Sequence, residues 1–70
     1  MNNYYDQQWD RCLADSPEAL RLFAGLTPTE QQQIVNYIEA SSSTRDADRR
    51  ISRMLGSLLD TGEAPPDLGR

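Results

Sequence analysis

The run TPTEQQQIVNYIEASSSTRDADRRISRMLGSLLDTG, residues 27–62, decides the fold. It opens on Thr27-Pro28-Thr29-Glu30. Threonine is an N-cap, proline suits the first helical position, and glutamate three residues after the cap closes a capping box. A helix therefore runs from Pro28 to about Ala40, with Ile34, Ile38 and either Val35 or Tyr37 as its apolar stripe. Gln31, Gln32 and Gln33 face mostly outward. Ser41-Ser42-Ser43 then breaks the pattern, because serine hydroxyls compete for backbone hydrogen bonds. Ser43 caps a last and longest helix, about Thr44 to Asp60, with Asp46 at N3. Ala47, Ile51, Met54, Leu55 and Leu58 form one face of it, Leu59 lies at the margin, Gly56 sits on the far side, and Gly62 ends it.

Working outward, two shorter helices precede this pair. Ser16-Pro17-Glu18 restarts a helix over about Pro17–Ala24, with Leu20, Phe23 and Ala24 on one side and Gly25 as a left-handed stop. Before it, Tyr4 to Ala14 follows an N-cap at Asn3, and Tyr5, Trp9, Cys12 and Leu13 share one face. After Gly62, Pro65-Pro66 cannot continue a helix, and residues 63–70 are expected to form a disordered tail. The expectation is all-α: one domain over residues 1–62, a small bundle of three to four short helices. Helices three and four form a C-terminal helical hairpin, and the first two lie across it with Trp9 and Phe23 as core plugs.

Composition excludes several functions. A chain of 70 residues buries only about 60% of the surface it exposes when unfolded, so small domains of this size often add disulfides, metal or self-association. One cysteine, Cys12, and no histidine leave neither an internal disulfide nor a zinc site, and no cofactor is expected. Nor does Cys12 have the histidine a nucleophilic thiol uses, and no carboxylate pair is placed for acid–base work, so no enzyme is expected. The start Met1–Asp10 lacks the basic-then-apolar order of a signal peptide, and no apolar run is long enough to span a bilayer. The expectation is a cytoplasmic protein with no membrane association. A net charge of −4 disfavours non-specific nucleic-acid binding. All seven basic residues are arginine, which high-GC coding bias explains more readily than a use for guanidinium groups.

From Phe23 onward the chain resembles a known family. Leu26-Thr27-Pro28, Tyr37-Ile38-Glu39-Ala40, Thr44-Arg45, Arg49-Arg50-Ile51, Leu58-Leu59 and Gly62 resemble the C-terminal helical region of the YdeI/OmpD-associated (bacteriocin-protection) family. The likeness covers Phe23 to Gly62, departs at the three serines and at Asp46-Ala47-Asp48, and lacks the α/β domain of larger members. It implies a helical fold and a bacterial protein, and leaves the biochemistry open.

Two surfaces are candidate partner sites. Arg45, Arg49 and Arg53 stand at i, i+4 and i+8, with Arg50 alongside, away from the apolar face. Like charges at that spacing repel by a few tenths of a kcal/mol, so a row of them invites an acidic partner. Asp46 can pair with Arg50; a solvated face whose arginines bridge to Glu30, Glu39 or Asp48 is the other reading. Tyr4, Tyr5 and Trp9 form an aromatic second patch, which serves equally to seal a small core. The function expected is a protein-interaction module with an unidentified protein partner, a homodimer being one form. The alternative is a weak nucleic-acid binder using the same arginine face.

Overall fold

The computed structural model describes residues 4–65 and 68. Four helices follow one another: α1 (Tyr4–Asp15), α2 (Pro17–Ala24), α3 (Pro28–Glu39) and α4 (Thr44–Thr61). No strand occurs among the described residues. The chain is all-α; α3 and α4 pack together, α1 contacts the other three helices, and α2 lies against α1 and α4. At about 1.5 Å per residue, the 18 residues of α4 run about 27 Å, close to the 28 Å longest extent of the molecule.

The helix starts use the chemistry their sequences advertise. Thr27 accepts from the Glu30 N–H at 3.1 Å, and Glu30 accepts from the Thr27 N–H at 3.1 Å, which completes the capping box. Ser43 Oγ accepts from the Asp46 N–H at 3.1 Å. The proposed cap at Asn3 lies outside the described residues. Gly62 closes α4 in the left-handed region (φ 76°), its N–H donating to Leu58 O at 2.8 Å. Beyond it, Ala64 and Leu68 pack against the core, and the Leu68 N–H donates to Pro65 O at 3.2 Å.

The junctions around α2 differ from the expectation. Ser16 occupies the N-cap position, but its hydroxyl makes no capping bond. A single residue joins α1 to α2, so its backbone serves both helices: the N–H donates to Leu13 O and the carbonyl accepts from the Leu20 N–H. Gly25 is right-handed (φ −80°, ψ −8°) and not left-handed, because its N–H continues the helical bonding to Arg21 and Leu22. The inward face of α2 is also rotated. Ala19 is fully buried and Leu22 and Phe23 pack on the core, while Leu20 is 46% exposed and Ala24 is exposed. An eight-residue helix carries two adjacent apolar stripes, and docking against both α1 and α4 selects the one bearing the small Ala19.

The core itself follows the α1, α3 and α4 stripes. Trp9, Leu13, Ala19, Ile34, Ile38, Ile51, Met54 and Leu58 are buried together. Trp9 meets Phe23 edge to face, with centroids 5.5 Å apart and planes at 76°. That pair is worth about 0.5–1.5 kcal/mol beyond its buried area. Tyr5, Cys12, Val35, Tyr37 and Leu55 pack around this centre.

Candidate functional site

The arginine row of α4 is divided by one residue of α3, Tyr37. Arg50 lies over its ring, 4.6 Å from the centroid, and donates from Nη1 to the Tyr37 carbonyl at 2.6 Å. Arg53 lies 5.7 Å from the same centroid and donates from Nη1 to the phenol oxygen at 3.1 Å. Tyr37 belongs to the last turn of α3, which has no basic residue of its own. A helix C-terminus has unpaired carbonyls and partial negative charge. Arg50 of α4 supplies both the missing donor and the missing cation across the hairpin.

Arg50 is also tied along its own helix. Its Nε stands 3.3 Å from Asp46 Oδ2. Asp46 further accepts from the Ser42 N–H at 3.0 Å and the Ser42 hydroxyl at 3.4 Å. The Ser42 backbone N–H, with help from Arg50 and the Ser42 hydroxyl, holds the Asp46 carboxyl below the usual carboxylate range. A chain of contacts thus runs from Ser42 through Asp46 and Arg50 to Tyr37, and Arg53 completes it.

Arg45 and Arg49 make no direct contact with this network, although the charge of Arg49 also helps to lower the Asp46 carboxyl. Both are exposed, and neither makes a hydrogen bond or ion pair among the described residues; no bridge to Glu30, Glu39 or Asp48 forms there. They stand one helical turn apart, about 6 Å along the axis. The four arginines therefore form two classes: Arg50 and Arg53 held on Tyr37, and Arg45 and Arg49 projecting into solvent.

The aromatic patch also separates. Tyr4 is 60% exposed and meets the half-buried Tyr5 edge to face, with centroids 5.9 Å apart. Trp9 is 1% exposed and belongs to the core, so it offers no outward contact surface. Trp9 lies one turn after Tyr5 on the inward stripe that continues to Leu13, so its ring fills the interior while Tyr4 falls outside that stripe. Trp9 Nε1 and Gln8 Oε1 are buried without a hydrogen-bond partner among the described residues.

Cys12 is half-buried against the core. Burial first, then the charges of Asp15 and Asp48, push its thiol up, against a weaker pull from Arg11. Among the described residues no group of three or more Cys, Asp or Glu side chains is placed to hold a metal ion. No helix there is long and apolar enough to cross a membrane.

The residue that sequence reasoning missed is Tyr37. It stands 13 and 16 residues before its two arginines, and no local period links positions so far apart. Only the turn at Ser41-Ser42-Ser43 hints that the end of α3 and the start of α4 come together. No protein-family model matches the chain, and no curated protein or solved structure shows significant similarity to it.

Proposed function

We propose that this chain is a non-enzymatic helical interaction module that docks an acidic protein partner on the outward edge of α4, through Arg45 and Arg49. One observation carries the reading. Arg50 and Arg53 are consumed by Tyr37, whereas Arg45 and Arg49, one turn away, have no hydrogen bond or ion pair among the described residues. Repulsion between these neighbouring cations is offset within the helix by the field of Asp46, which Arg49 shares with Arg50 without a direct contact. Arg50 and Arg53 act as the rigid rear of the site: they add positive potential while their side chains stay anchored. The exposed Tyr4 borders a second contact area of the same module. A cytoplasmic setting suits the lone cysteine, and the resemblance of Phe23–Gly62 to the YdeI/OmpD-associated helical region belongs to the same proposal.

The test uses a fluorescent acidic helical peptide with glutamates at i and i+4 spacing, titrated with the full chain and read by anisotropy. Replacing Arg45 and Arg49 by glutamine weakens binding at least about tenfold on this reading. Arg50→Gln weakens it less, because that guanidinium is already engaged. Equal binding by the wild type and the double variant refutes the proposal. A DNA duplex of the same charge is titrated in parallel. Tighter binding of the duplex than of the peptide, with a steep fall in added salt, makes the arginine edge a nucleic-acid surface instead.

A further inference from the structure

We propose that the partner docked on this edge is a second copy of this chain, whose Asp60 meets Arg45, docked antiparallel through α4 about a twofold axis passing between Ser52 and Arg53. This rests on the reading that the outward edge of α4 is a docking surface, and it names the occupant.

The outward face of α4 carries Arg45, Arg49, Ser52, Gly56, Leu59 and Asp60, all exposed. The first five recur at steps of four, three, four and three, the spacing of a helix–helix seam. This seam lies opposite the buried Ala47, Ile51, Met54 and Leu58. Among the described residues no helix covers it.

The charges on this face run against the helix dipole. Arg45 is the second residue of α4, at the positive end, and Asp60 is the second-last, at the negative end. Neither makes a hydrogen bond or ion pair among the described residues. Each placement costs the isolated helix stability, and no hydrogen bond or ion pair among the described residues offsets it.

An antiparallel second copy answers both. Arg45 and Asp60 stand equally far from the midpoint between Ser52 and Arg53, about 11 Å to either side at 1.5 Å per residue. Twofold symmetry then sets Arg45 of each copy opposite Asp60 of the other, so the contact forms twice. The two helix dipoles also align head to tail. Parallel pairing fails on the same residues, because it sets Arg45 against Arg45 and Asp60 against Asp60.

The middle of the seam is shaped for close approach. Ser52 is small, and a Cβ placed on Gly56 would meet nothing within 4 Å. Gly56 is not in the left-handed region and has no neighbour in its own chain that requires glycine. In the antiparallel pair it comes opposite Arg49 of the second copy, whose aliphatic stem can lie across it. Leu59, 49% exposed, receives the stem of the second copy's Arg45 in the same way. An interface of one helix on one helix is small, so the dimer is weak and weakened further by salt.

The experiment is sedimentation equilibrium of the full chain from about 10 µM to about 1 mM, the range of weak association, at low and high salt. Wild type is expected to dimerise within it. Arg45→Glu alone and Asp60→Arg alone each raise the dissociation constant at least about tenfold. An equimolar mixture of the two variants recovers dimer, because both cross-contacts become attractive. Both substitutions replace a charge that opposes the helix dipole by one that suits it, so thermal melts of the monomers are expected at or above wild type. A wild type that stays monomeric throughout, or a mixture that associates no better than its components, overturns the proposal. The acidic peptide separates this from the broader reading. Asp60→Arg weakens self-pairing by that factor yet leaves peptide binding intact or tighter. A monomeric wild type that binds the peptide ends the self-pairing proposal alone, and a chain that does neither ends both.

Discussion

Two glycines, one inside α4 and one closing it, respond in opposite senses to the same substitution. Gly56 lies inside α4, is exposed, and offers open space to a Cβ. Alanine there gains helix propensity, about 0.8–1.0 kcal/mol per residue in an exposed helix interior. Gly62 sits at φ 76°, where a Cβ crowds the backbone at a cost of about 1–2 kcal/mol. Alanine also narrows the unfolded ensemble, which returns about 0.4–1 kcal/mol. The net for Gly62→Ala is a loss of about 1 kcal/mol, although the space itself is adequate, with Leu22 Cδ2 at 3.7 Å from the added Cβ. For a domain of this size one kcal/mol moves the melting temperature by about 4–8 °C. Thermal unfolding followed by circular dichroism, at a few micromolar protein and high salt so that association does not contribute, should show Gly56→Ala rising by that amount and Gly62→Ala falling by a similar one. Both variants moving in the same direction would refute the reasoning. A fall for Gly56→Ala would mean that its outward face is covered within the monomer. No change for Gly62→Ala would mean that α4 does not end in a left-handed residue.

Three further outcomes follow from the local chemistry. Thr27→Ala and Ser43→Ala each remove a capping acceptor and should cost about 1 kcal/mol in urea unfolding, whereas Ser16→Ala, whose hydroxyl caps nothing, should cost no more than a few tenths. Tyr37→Leu removes the ring under Arg50 and Arg53 and should cost about 0.5–1 kcal/mol more than Tyr37→Phe, which keeps the ring and loses only the phenol contact; equal losses would show that stacking contributes nothing. Asp46 has its folded-state pKa below the unfolded value of about 3.8, so its contribution is complete above that value and lost as pH falls through the folded pKa; Asp46→Asn should therefore flatten the acid limb of a stability–pH curve below about pH 4, and an unchanged limb would remove Asp46 as its cause.

The capped helices were legible because their signals are local. Thr27-Pro28-Thr29-Glu30 and Ser43 to Asp46 carry donor and acceptor within three residues, so their geometry is set before any tertiary contact forms. The stripes of α1, α3 and α4 were legible for the same reason: twelve to eighteen residues of amphipathic period leave one choice of inward face. Eight residues in α2 do not, and there the sequence pointed to Leu20 and Ala24 where Ala19 and Leu22 turn inward.

The candidate site divides along the same line. From the sequence alone come the arginine row, its position opposite the apolar face, the Asp46–Arg50 pair and the outward setting of Gly56. These depend only on helical spacing. Tertiary structure alone decided that Tyr37 captures Arg50 and Arg53 and leaves Arg45 and Arg49 projecting, and that Trp9 fills the core while Tyr4 stays outside. Spacing within one helix says which side chains share a face. Which of them meet a partner depends on the crossing of α3 and α4, and that crossing is set by how Ile34, Ile38, Ile51, Met54 and Leu58 fill a common interior.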